Sequence, residues 1–111
     1  MGSSYYTSGL NVEALRSVAH GSLSTGSYTA VGSAVGSREA VVLVKITNTL
    51  DVAVLISYDS GSTDHEVVQA GESLVLDLSQ NSMHLLKGET VEAKLVSAAS
   101  SGTVYVSMYK R

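Results

Sequence analysis

Asp59, Asp64, Glu66 and His65 stand close together in the segment Val52–Glu72, which also holds Glu72 and contains no Lys or Arg. Carboxylates and an imidazole at this density can hold a cation, move a proton or make charged contacts with a partner. Between Asp59 and Asp64 lie Ser60, Gly61, Ser62 and Thr63, whose hydroxyls could add donors for Ca²⁺, an ion that takes about six to eight oxygens. The spacing is not that of an EF-hand loop, because the glycine stands third rather than sixth. A polar hairpin tip, with Asp59 and Asp64 accepting turn amides, accounts for the same residues with no metal. No cofactor is therefore expected; Asp59, Asp64 and Glu66 are the carboxylates that would hold a cation. Asp59, Asp64 and His65 are candidate loop contacts.

Other chemistries have less to stand on. His20, His65 and His84 lack the close spacing that puts two imidazoles on one metal. Serine is abundant, but there is no Gly-x-Ser-x-Gly elbow. Gly21-Ser22-Leu23-Ser24-Thr25-Gly26 reads as a loop without the strand and helix that an elbow needs. No phosphate-cradling Gly-x-x-x-x-Gly-Lys occurs. An enzyme is not expected. Tyr105 and Tyr109, four apart, share a strand face. With Tyr5 and Tyr6 they could stack on sugars, or line a subunit interface, where Tyr is enriched.

Composition narrows the classes further. The chain has 111 residues, enough for one domain with one modest core. Charged residues make up 15%, below the ~25% usual in soluble domains. Ser, Thr and Gly fill the gap, which suits a protein packed against neighbours. No Cys is present, so disulfides and thiolate sites are ruled out, and Trp, Phe and Pro are absent too. A net charge of −3 opposes non-specific nucleic-acid binding, which needs a basic face. No apolar run approaches the ~20 residues of a membrane-spanning helix. The opening MGSSYYTSG has neither the charged nor the apolar stretch of a signal peptide.

Residues 1–37 are Gly/Ser/Thr-rich, with Glu13 and Arg16 their only charges. They are expected to form an extended arm and the first short strands. Asn11 could cap a helical turn over Val12–Arg16, although Leu15–Ser24 reads equally well as extended. Residues 38–111 are expected to form the sandwich body, with apolar residues alternating along successive short segments. Val42, Val44 and Ile46 share one face, against Leu43, Lys45 and Thr47. Val52, Val54, Ile56 and Tyr58 follow, then Leu74, Leu76 and Leu78, then Val91, Ala93 and Leu95, and last Val104, Val106 and Met108. Asn48–Asp51 suits a hairpin or a tight connection, and Gly71, Gly88 and Gly102 suit reversals that need positive φ. The expectation is all-β: an antiparallel β-sandwich or a jelly-roll-like small barrel with an extended Gly/Ser-rich arm. Charge is asymmetric as well. Asp51–Asp77 is purely acidic while the chain ends in Lys110-Arg111, so an acidic edge and a basic tail could meet between copies.

The chain also resembles small tailed-bacteriophage virion structural proteins. The resemblance is carried by Arg16-Ser17-Val18-Ala19-His20-Gly21-Ser22-Leu23-Ser24, Tyr28-Thr29-Ala30-Val31-Gly32 and Val44-Lys45-Ile46-Thr47-Asn48. Ile56-Ser57-Tyr58-Asp59, Thr63-Asp64-His65, Ala70-Gly71-Glu72, Leu76-Asp77-Leu78 and Gly102-Thr103-Val104-Tyr105-Val106 continue it. It implies a non-enzymatic subunit present in many copies on the virion, as capsid decoration or cement or as a neck or tail component. Its partners would be copies of itself and major capsid, portal or tail proteins, with no nucleic acid and no membrane. Tyr5, Tyr6, Leu10, Tyr105, Tyr109, Lys110 and Arg111 are the expected interface residues. The alternative is a carbohydrate-binding module using the tyrosines and the acidic loop, with or without calcium.

Overall fold

The computed structural model describes residues 11–35, 41–77 and 89–110, and within them the chain is all-β. The strands are β1 (Asn11–Val12), β2 (Arg16–Ala19), β3 (Thr29–Ala30), β4 (Val41–Asn48), β5 (Val54–Ser57), β6 (Glu66–Val68), β7 (Ser73–Asp77), β8 (Glu92–Leu95) and β9 (Thr103–Lys110). They form two antiparallel sheets. In the first, β1 and β2 share one edge of β9, which is followed by β4 and β7; the second runs β3, β8, β5, β6.

The topology follows a simple rule. β5 pairs with β6, β4 with β7, β3 with β8 and β2 with β9. These pairs are nested about the β5–β6 loop, as in one long hairpin. Rolling that hairpin up brings β4 against β9 and β5 against β8. Two layers nested in this way, the first with β1 and β2 together filling one of its four positions, form a jelly-roll-like sandwich. Asn48–Asp51 leads from β4 of the first sheet to β5 of the second, so it joins two sheets and is not a hairpin turn.

Period-2 patterning explains the burial. Val104, Val106 and Met108 of β9 face inward with Val44 and Ile46 of β4, and all are fully buried. Val54, Ile56, Val91 and Ala93 close the core from the second sheet. Each such side chain contributes about 1.5–3 kcal/mol by leaving water, and branched aliphatics fill a space that lacks Phe and Trp altogether. Within β4 the register departs from strict alternation. A bulge between Val41 and Leu43 places Val41, not Val42, in the core.

The segment 11–19 is extended, so the helical turn over Val12–Arg16 does not form. Val12 pairs with Tyr109 and Arg16 with Val106. Glu13, Ala14 and Leu15 therefore oppose only Ser107 and Met108, a second bulge. Of the glycines expected at positive φ, Gly71 and Gly102 have it, and Gly88 lies outside the described residues.

Candidate interaction surfaces

The β5–β6 loop is the tip about which the sheets are rolled, and its polar groups are turned onto one another. The Asp59 carboxylate accepts from Ser57 Oγ at 2.7 Å and from the Thr63 amide at 2.9 Å. The Gly61 amide donates to Ser57 Oγ at 3.0 Å. Hydrogen bonds from Thr63 and Ser57 hold the Asp59 carboxyl down at about 2. The Tyr58 amide donates to His65 Nδ1 at 3.2 Å, and the two rings pack with centroids 5.3 Å apart. Burial raises the Tyr58 hydroxyl above its ordinary range, and that hydroxyl has no hydrogen-bond partner among the described residues.

Asp64 leans the other way, onto the outer side of the second sheet. It accepts from the Tyr28 hydroxyl, and Lys94 Nζ lies 3.8 Å from it and 4.8 Å from the Tyr28 ring centroid. Burial, with Asp64 alongside, pushes the Tyr28 hydroxyl upward. Among the described residues, no three His, Cys, Asp or Glu side chains gather as a metal site would need. His20 sits at the far end of β2, its Nδ1 3.3 Å from Gly102 O; His84 lies outside the described residues. Tyr5, Tyr6, Leu10 and Arg111 also lie outside them.

Tyr105 and Tyr109 do share a face. Because their neighbours on β9 point inward, both stand on the outer side of the first sheet. Register places Tyr109 beside Leu43, Ser107 beside Lys45 and Tyr105 beside Thr47; on β7 the matching positions are Asp77, Val75 and Ser73. The acidic loop belongs to the opposite sheet. The tyrosines and the loop carboxylates thus lie on opposite sides of the sandwich and form no common sugar site.

A further constellation went unread in the sequence. Arg16 is only 6% exposed, beneath the 32–35 loop. Its Nε donates to Ser33 O at 2.7 Å, Nη1 to Ala14 O at 3.2 Å and Nη2 to Ala34 O at 3.1 Å. Nη2 also meets Glu13 Oε1 at 2.7 Å, and Lys110 Nζ lies 3.6 Å from Glu13 Oε2. The β1–β2 bulge is what turns Glu13 to this position. Gly32, at φ +73°, lies so close that a Cβ there would sit 2.8 Å from Arg16 Cβ. With its donors taken up by carbonyls and Glu13, the guanidinium is a clamp on the N-terminal segment. Lys110 is held in the same clamp, so it is not a free basic tail.

No family model matches the chain, and no curated protein does. Solved structures share its fold. A chain of the Bacillus endospore appendages, described as a novel family of disulfide-linked pili, superimposes at TM-score 0.54 with 13% identity, over 91% of this chain and 87% of that one. A chain of the cyanophage Pam1 capsid asymmetric unit does so at 0.51 with 15% identity, over 90% and 82%. The crystal structure of PirA gives 0.50 with 20% identity, over 89% and 92%. At these identities the likeness is one of fold.

Proposed function

We propose that the chain is a non-enzymatic structural subunit of a bacteriophage virion, repeated in many copies as capsid decoration or cement, or as a head–tail or tail component. Its N-terminal residues and exposed sheet surfaces make the contacts with copies of itself and with other virion proteins. The observation that carries this reading is the outer surface of the first sheet. There Tyr105, Tyr109, Leu43 and Val75 surround Lys45, among the described residues a composition rich in Tyr and poor in charge that suits an interface. Jelly rolls recur in viral capsids, and one of the chains sharing this fold comes from a capsid asymmetric unit while another comes from pili. The lack of Cys means that contacts between copies would be non-covalent, unlike disulfide-linked pili. Fold analogy alone would not carry the reading; the surface composition is what it adds to.

The arm can be tested without disturbing the sheet. Residues 11–19 are paired and clamped, so a truncation should end before Asn11. The chain 11–111 is expected to keep the β-sheet circular dichroism of the full chain but to lose assembled particles in negative-stain micrographs. Equal assembly by both chains would remove the arm from the account.

A further inference from the structure

The two outer sheet surfaces differ in charge, and the difference decides how copies can meet. On the first sheet Lys45 lies on the central strand β4, exposed, in the row Ser107–Lys45–Val75. It makes no ion pair among the described residues, and Asp77 at the end of β7 is the carboxylate on this surface. Val75 beside it is 57% exposed. On the second sheet Leu55 pairs with Val67 on one side and Lys94 on the other, and Val96 continues the apolar strip. Val67 is 51% and Val96 55% exposed. Asp64, Asp59 and Glu92 border that strip, with Lys94 the one cation there among the described residues, and it is already held by Asp64 and Tyr28.

We propose that copies of this chain stack head to tail, the outer surface of the first sheet in one copy seated on the outer surface of the second sheet in the next. The inference rests on the multi-copy reading above and names its contact. A two-fold contact of the first surface with itself would bring the two Lys45 side chains together at its centre. A two-fold contact of the second surface would crowd its carboxylates. The unlike pairing sets Lys45 against a surface whose border of Asp59, Asp64 and Glu92 is negative even after Lys94 is counted, while covering valine with valine. Unlike surfaces give a heterologous contact, which builds rings or filaments instead of closed dimers. The area agrees. The second sheet sets the limit, its strands being four residues long or shorter. Four strands at ~4.8 Å spacing and about four residues at ~3.4 Å cover about 260 Å² per partner, well short of the ~800 Å² of a standard stable complex. Such a contact is weak singly and effective when repeated.

The chain has no Cys, so cross-linking sites can be placed at will. The test uses Val75→Cys and Val67→Cys, singly and together, with a flexible bismaleimide on the full chain at concentrations where light scattering reports assembly. Head-to-tail stacking predicts a ladder of dimers, trimers and higher species from the double variant. A mixture of the two single variants should stop at dimers, and each single variant alone should stay monomeric. Dimers from Val75→Cys alone or from Val67→Cys alone would overturn the proposal in favour of a two-fold contact. An assembled protein whose double variant gives no ladder would overturn it while leaving the multi-copy reading intact. A protein monomeric at every concentration would overturn both.

Discussion

Asn48 Nδ2 lies 3.0 Å from Val68 O, a buried hydrogen bond that ties β4 of the first sheet to β6 of the second. The same amide reaches Val52 O at 3.0 Å and Gln69 O at 3.2 Å, and Asn48 Oδ1 accepts the Leu50 amide at 2.9 Å. One fully buried side chain therefore bonds to two of the connections that pass between the layers, β4–β5 and β6–β7. Asn48→Ala would leave Val68 O and the Leu50 amide, the two buried partners, without this bond, each costing about 1–3 kcal/mol. The variant should lose about 3 kcal/mol, read as a lower urea midpoint at unchanged slope. Asn48→Asp should be worse, since a carboxylate would face three carbonyl oxygens.

Gly102 opens β9 at φ +99°, where a Cβ would lie 2.6 Å from Leu50 Cα, backbone against backbone. Gly71 has a similar φ of +78° but nothing within 4 Å. Gly71→Ala should therefore cost only the left-handed strain, about 1 kcal/mol. Gly102→Ala must also displace the β4–β5 connection and should cost on the order of 3 kcal/mol. Equal midpoints for the two variants would contradict this reading of the contact.

Asp59 titrates near 2 in the folded chain because Thr63 and Ser57 donate to it, against roughly 4 for an unfolded aspartate. Its folded value is depressed, so its contribution is present above pH ~4 and is lost as pH falls from there toward 2. Asp51, lowered by Ser100, acts in the same direction. Asp59→Asn keeps an oxygen acceptor but cannot titrate. Its thermal midpoint should fall less steeply than that of the parent between pH 5 and 2, and parallel curves would assign the acid sensitivity elsewhere.

Tyr58 gives a prediction of unusual sign. Its hydroxyl is buried without a partner among the described residues, so Tyr58→Phe removes a desolvated group and keeps the ring on His65. The variant should be as stable as the parent or more stable by about 1 kcal/mol. A loss of that size would mean the hydroxyl has a partner after all.

Much of the body was legible because β5, β7, β8, β9 and β4 from Leu43 onward alternate, and Lys45, Tyr105 and Tyr109 fall on the outward phase. What alternation cannot register is a bulge. One bulge exchanged Val41 for Val42, and the other turned Glu13 toward Arg16 and Lys110. Asn48 read as a turn residue, since its spacing gives no sign that three carbonyls from distant strands converge on it. The split between tyrosines and acidic loop was equally hidden, because which sheet a strand joins depends on how the long hairpin rolls.

The claim at the centre of the account is that this chain works as one copy among many. Static light scattering of the full chain across a wide concentration range tests it most directly. The account predicts a weight-average mass that climbs above that of a single chain with concentration and falls back for Lys45→Glu. A mass fixed at one chain throughout the range would contradict it.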